Sequence, residues 1–180
     1  MSPISAGRRP GWKHSLMTEA FIAVVCVSSL SLMSADAAPA SAAELTRRAD
    51  VGATPATVWA AIGPFCAIKD WHPAVGSCAL DGKVPPTRTL VTKDGKATFV
   101  EAQVARDDAR YTSSYSFVSS PFPVTQYVGT IAVSSNGRGG STITWHGVYT
   151  PLPGKEQAAN DAFASIYEPG LAALKTKFAN

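Results

Sequence analysis

The sequence predicts an α+β domain, an antiparallel sheet with helices on one face. Three observations carry this. From Val75 to Tyr149 apolar and polar residues alternate in short runs broken by Gly, Pro, Asn and Asp, the pattern of half-buried strands. A long helical stripe, Phe163, Ile166/Tyr167, Leu171, Leu174 and Phe178, closes the chain. One strand-like segment and two short helical ones come before the alternating runs. Strands in series followed by a helix bury one sheet face against that helix and leave space between the two.

The chain has 180 residues, 46% of them hydrophobic, enough for one globular core plus a leader. The net charge of +3 is spread out. That argues against a nucleic-acid partner, which needs Lys and Arg clustered on one face. Residues 1–43 read as a signal peptide and a frayed leader, and residues 44–180 as the single domain. Arg8, Arg9, Lys13 and His14 precede the apolar stretch Ala20 to Met33, and Ala35-Asp-Ala37 and Ala40-Ser-Ala42 offer cleavage sites. The apolar stretch is short for a membrane span, so the leader is the one expected membrane contact. Arg8-Arg9 raises a twin-arginine route, which Pro10-Gly11 fit poorly. Cys26 follows Val25 rather than a small residue, which argues against lipid attachment. The expected location is periplasmic or secreted. Cleavage leaves Cys66 and Cys78, and an even pair in an oxidising compartment predicts a disulfide.

Glu44 to Val51 reads as the first strand, with Leu45, Arg47, Ala49 and Val51 on one face. Thr54 caps a helix that begins at Pro55, carries Val58, Trp59 and Ile62 as its stripe, and stops at Gly63-Pro64. Phe65 to Asp70 can form a second short helix. Trp71-His72-Pro73 leaves it, because a residue before proline avoids the helical region. Val75 to Leu80 is the next strand. Asp94-Gly95 lies between Arg88–Thr92 and Ala97–Val104, a strong hairpin signal. A two-residue loop there sets Leu90 opposite Phe99 and Arg88 opposite Glu101. Tyr111 to Val118 carries Tyr111, Ser113, Tyr115 and Phe117 on one face. The preceding turn leaves two registers open: a three-residue loop sets Tyr115 opposite Glu101, a two-residue loop Ser114. Ser120 to Pro123 is a break. Thr125–Val133 and Thr142–Tyr149 are strands around the loop Asn136 to Gly140. The final helix runs from about Lys155 to Ala179, with a kink expected before Pro169.

These residues resemble the START-like helix-grip superfamily, also called SRPBCC or polyketide cyclase/dehydrase-like proteins. The carriers are Val58-Trp59 with Ile62, the Trp71-His72-Pro73 turn, Cys78-x-x-Asp81-Gly82, Arg88, Glu101, Pro121 to Tyr127, Trp145 and Gly170-Leu-x-x-Leu174-Lys175. The likeness spans about Ala43 to Ala179. With export it is closer to the periplasmic branch, some members of which sit near methanol-oxidation systems. The resemblance implies a curved seven-stranded antiparallel sheet gripping the C-terminal helix around a cavity. It implies that Trp59, Ile62, Phe65, Trp71, Tyr115, Phe122, Tyr127, Trp145, Phe163 and Tyr167 point at that cavity, with His72, Arg88 and Glu101 as its polar members.

A fold of this kind hosts many roles, so the site must decide the function. The main expectation is a binding protein for a hydrophobic or aromatic small molecule, lipid-like or polyketide-like, without cofactor. A cavity enzyme of cyclase/dehydrase type is the first alternative, with His72 and Glu101 as candidate catalytic residues. Arg88 opposite Glu101 is expected to hold that carboxyl low and so weaken it as a base. For His72 the plainer role is a turn histidine bonded to backbone. The second alternative is a periplasmic accessory protein acting through the exposed loop Ser119 to Val124, with Phe122 between two prolines. No metal site is expected, since Cys66 and Cys78 have no close ligand partner. Asn136 to Gly140 joins two strands and lacks the helix a phosphate loop needs.

Overall fold

The computed structural model describes residues 41–179. Residues 1–40 of the expected leader lie outside the described residues. Ten elements follow in order: β1 (Ala43–Val51), α1 (Pro55–Ile62), α2 (Ile68–Trp71), β2 (Val75–Leu80), β3 (Thr87–Thr92), β4 (Thr98–Asp107), β5 (Thr112–Ser119), β6 (Val124–Ser135), β7 (Ser141–Pro151) and α3 (Glu156–Lys177). The strands form one seven-stranded sheet in the order β1-β7-β6-β5-β4-β3-β2, every pair antiparallel. The long first connection, through α1 and α2, carries the chain from β1 at one edge to β2 at the other, hairpins then return it strand by strand to β7 beside β1, and α3 crosses the inner face. No helix among the described residues is long and apolar enough to cross a membrane.

Local chemistry sets the boundaries. Thr54 Oγ1 accepts from the Thr57 N–H at 3.4 Å, and Pro55 occupies the first turn of α1. Helix α2 is shorter and later than expected. It keeps Trp71 inside and turns at His72, whose ψ of 122° is extended as the following proline requires. Gly95 takes a φ of +70°, so Asp94-Gly95 closes the β3–β4 hairpin and Arg88 faces Glu101 with Leu90 opposite Phe99.

The β4–β5 turn has neither of the two registers open to sequence reasoning. Asp107 pairs with Thr112, so four residues form the loop, and Tyr111 takes a φ of +52°. A bulge between Gln103 and Ala105 then shifts the pairing by one, and Glu101 faces Phe117 while Gln103 faces Tyr115. Without that bulge Glu101 would face Val118, whose side chain lies on the other side of the sheet.

The core lies between the sheet's inner face and α3. Val58, Ile143, Phe163 and Leu174 are 0 to 1% exposed. Each side chain of this size contributes about 1.5–3 kcal/mol on burial. Arg47 on β1 pairs with Glu168 on α3 at 2.8 Å, and the Gly52 N–H donates to the Phe178 carbonyl at 3.0 Å, fixing the middle and the C-terminal end of the helix. Pro169 lies inside α3, which runs on to Lys177.

Cys66 and Cys78 form a disulfide with their Cα atoms 5.5 Å apart. It ties the segment before α2 to β2, closing a loop around the Trp71-His72 turn.

Candidate functional site

Two small cavities lie under the sheet. The larger, about 50 Å³, is bounded by the inner face of β3 to β7, by α3 and by the α2 turn. The smaller, about 20 Å³, lies between Ile62 to Phe65 and the sheet. Ile68, Tyr115 and Trp145 wall off one from the other.

The larger cavity is lined by His72, Glu101, Tyr115, Phe122, Tyr127, Trp145, Phe163 and Tyr167 of the residues nominated from sequence. Ile62, Phe65, Trp71 and Arg88 line the smaller one. Trp59 lines neither. Its indole N–H donates to Asp108 at 2.8 Å and Arg106 lies over its ring, so it latches α1 to the β4–β5 turn. Phe99 and Phe117 also line the larger cavity, together with Leu90 and Ile166. Strand parity puts Leu90 and Phe99 on the Arg88–Glu101 face and Phe117 on the Tyr115 face, and this is the signal the sequence holds for them.

Arg88 and Glu101 are neighbours across β3 and β4, with Nε donating to Oε2 at 2.6 Å and both side chains 6% exposed. The guanidinium also donates to the Phe65 carbonyl, and it is sandwiched between the Phe65 and Tyr115 rings at 4.2 and 4.9 Å. Burial raises the Glu101 carboxyl above its ordinary value, against the opposing pull of Arg88. Sequence reasoning expected the cation to win. It did not foresee how completely the carboxylate is removed from water.

His72 is 1% exposed and fully engaged. Its Nδ1 accepts from the Ala74 N–H at 3.1 Å, which places the proton on Nε2, and Nε2 donates to the Ile166 carbonyl at 2.9 Å. Burial lowers its pKa, so the ring is neutral. Both nitrogens are spent on backbone, and neither is free to take a proton from a ligand.

The other polar group is a cluster of hydroxyls on three tyrosines that the sequence nominates singly and does not bring together. Tyr127 OH lies 3.2 Å from Tyr115 OH and 2.6 Å from Tyr167 OH, and the Trp145 indole N–H donates to Tyr115 OH at 2.8 Å. The Tyr167 ring stacks on Trp145 at 4.4 Å, and Phe163 stacks on Tyr127 at 4.6 Å. Burial holds all three phenols well above their ordinary pKa, so they stay protonated. The space for this cluster comes from Gly129 and Gly147, which face each other across β6 and β7. A Cβ on Gly129 would overlap Tyr127 OH, and one on Gly147 would overlap Tyr167 OH. Gly170 plays the same part on α3, where a Cβ would meet His72 Cδ2 at 2.7 Å and Trp145 Cζ3 at 2.9 Å. A glycine inside a strand or helix is the sequence mark of such close approach.

Phe122 is half-buried rather than displayed. Its ring packs edge-on against Phe99 at 5.2 Å and Phe163 at 5.1 Å, closing the cavity rim. The surface loop thereby loses the apolar feature that suggested a protein partner. Among the described residues no group of three His, Cys, Asp or Glu could hold a metal ion.

Comparison with known proteins agrees with this architecture. A family profile described as polyketide cyclase / dehydrase and lipid transport matches residues 42–179. The chain is similar to the protein XoxI from Bacillus cereus, with 33% identity and a TM-score of 0.71 over 76% of this chain and 95% of that one. It shares the fold of major latex-like protein 151 from Panax ginseng, at 15% identity and a TM-score of 0.64 over 77% and 99% of the two chains. It also shares the fold of the di-domain ARO/CYC StfQ of the steffimycin biosynthetic pathway, at 15% identity and a TM-score of 0.62 over 77% of this chain and 50% of that one. No curated protein matches.

Proposed function

Because the chain belongs to the polyketide cyclase/dehydrase and lipid transport family, we propose that it is an exported binding protein for an apolar or aromatic small molecule. The observation that carries this reading is the aromatic cavity between the sheet and α3, with Glu101 the one acidic side chain on its wall among the described residues. Mostly apolar walls with few polar groups are the usual make-up of a small-ligand site. At about 50 Å³ the space holds a water or two. Sites for drug-sized ligands run to about 300–1,000 Å³, so loading requires the rim rings of Phe99, Phe117 and Phe122 to swing aside. Phe122 is the ring best able to do so, since it stands on a bend rather than in a strand.

Export is supported by the apolar leader stretch and by the Cys66–Cys78 disulfide. N-terminal sequencing of the exported protein tests it. A start within residues 38–44 is expected, whereas an intact Met1 on a membrane-bound form would make the leader an anchor.

Native mass spectrometry of the purified protein tests binding, through a co-purified apolar ligand. Titration with the neutral fluorophore N-phenyl-1-naphthylamine gives a second reading. Failure of the parent and of Phe122→Ala to bind either would overturn the proposal.

One observation favours a second reading. Glu101 lines the cavity with its carboxyl raised by burial, the direction a general base needs. On that reading Glu101 takes a proton from a bound ligand and a tyrosine hydroxyl stabilises the oxyanion. Turnover lost in Glu101→Gln with ligand binding intact would establish it.

A further inference from the structure

We infer that the cavity recognises its ligand through an uncharged acceptor oxygen, a ketone or quinone carbonyl, seated against the Tyr115–Tyr127–Tyr167 cluster. This rests on the binding reading above and narrows it to a ligand class.

The argument is a count of protons. Three phenols bring three hydroxyl hydrogens, each with one donor to place. They meet in two hydroxyl–hydroxyl contacts, Tyr115 with Tyr127 and Tyr127 with Tyr167. Two hydrogens at most fill those contacts. The Trp145 indole adds a donor to Tyr115 and offers no lone pair in return. However the hydroxyls rotate, at least one O–H is left without an acceptor among the described residues. It cannot be relieved by ionisation, because burial raises all three phenols. Nor can it reach bulk water: Tyr115 and Tyr127 are 5% exposed and Tyr167 1%. All three line the cavity, so that is where the spare donor can be met.

The second observation comes from the smaller cavity. Trp71, 8% exposed, lines it, and its indole N–H is buried without a partner. Unused donors therefore stand on both sides of the Tyr115–Trp145 wall. An unmet buried donor costs more than a made hydrogen bond gains, so a ligand that brings an acceptor is selected over its hydrocarbon analogue. The charge of the ligand is limited by the wall. The Glu101 carboxyl is engaged with Arg88 and makes no hydrogen bond to the hydroxyl cluster, and no Lys or Arg among the described residues lines the cavity. A carboxylate ligand would shed its water there with no free cation to receive it.

Three probes of similar size test this on the purified protein: acetophenone, ethylbenzene and benzoate. Acetophenone carrying a carbonyl ¹³C label is titrated by NMR. It is expected to bind about tenfold tighter than ethylbenzene, the usual worth of one satisfied hydrogen bond. Its carbonyl resonance is expected downfield of its position in hexane, and benzoate is expected not to bind. In the triple variant Tyr115→Phe, Tyr127→Phe, Tyr167→Phe the preference should fall to within about twofold while ethylbenzene affinity is kept. If that variant does not fold, the carbonyl shift in the parent decides alone. Equal affinities with an unshifted carbonyl, or tighter binding of benzoate, would overturn the inference and leave the binding reading standing. If neither neutral probe binds parent or Phe122→Ala protein, the binding reading falls and this inference with it.

Discussion

The interior holds two polar regions a few side chains apart, and they are built on opposite terms. At the Arg88–Glu101 end, cation and anion meet at 2.6 Å and the guanidinium is held further by a carbonyl and two ring faces. Nearby His72 spends both ring nitrogens on backbone. At the phenolic end, three hydroxyls and an indole meet and one hydrogen is left over. Where polar groups satisfy one another, they hold the fold. Where the count does not close, a donor remains for something else. Residues that look most chemical in sequence, a histidine and an ion pair, belong here to the first kind.

The largest expected effect breaks the closed end. Arg88→Met should lose about 3–5 kcal/mol of stability at pH 7, because it strands a buried carboxylate. Glu101 already sits above its ordinary value, and without Arg88 it rises further. A carboxyl raised in the folded state adds stability below its unfolded pKa of about 4.3 and loses it as pH rises through the folded value. The variant should therefore come closest to the parent near pH 4 and fall away towards pH 7, as read by urea unfolding across that range. The pair Arg88→Met with Glu101→Leu should recover most of the loss.

Reduction, or Cys66→Ser with Cys78→Ser, should cost about 2–3 kcal/mol by freeing a short loop in the unfolded chain. Thiol titration of denatured, unreduced protein should find no free thiol from this pair, and two would contradict the bond. Sharper is the pH slope from His72. Its pKa is lowered from 6.5 by burial. A depressed base holds its stabilising effect above the unfolded value and gives it up as pH falls towards the folded one. Stability should drop on acidification below about pH 6.5, by at most about 1.4 kcal/mol per pH unit. His72→Gln should flatten that slope, and a slope unchanged in the variant would assign it elsewhere.

The smallest effect on stability comes at the rim of the open region. Phe122→Ala should leave the closed end undisturbed and cost about 1–2 kcal/mol, since the ring is only half-buried. Affinity for N-phenyl-1-naphthylamine should rise about tenfold as the Phe99–Phe163 edge opens. A fall instead would make Phe122 a wall of the site rather than its obstacle.

The sequence was most legible where chemistry is local. Asp94-Gly95 announces its turn, so the register of β3 on β4 follows by counting, and the seven strands and closing helix follow from period. The β4–β5 pairing did not, because its bulge at Val104 carries no glycine and its loop puts Tyr111, a bulky residue, at positive φ. The family resemblance turns Trp59 towards the cavity with Ile62. The Asp108 side chain that draws it aside is 49 positions away and invisible to periodicity. The hydroxyl cluster is a meeting of three elements, and no pairwise rule brings Tyr115, Tyr127 and Tyr167 to one point.

Gly129 and Gly147 carry a consequence for descent. Each gives its missing methyl's place to a phenol oxygen, Tyr127 in one case and Tyr167 in the other. Backbone and ring are thus bound as pairs, and a relative cannot acquire alanine at either position while keeping the facing tyrosine in the same pose. Drift at these sites should be correlated: where 129 or 147 gains a side chain, 127 or 167 should shrink or turn away. An aligned set of relatives therefore carries a record of which lineages retained this donor cluster and which exchanged it for another ligand, written in two glycines that touch no ligand themselves.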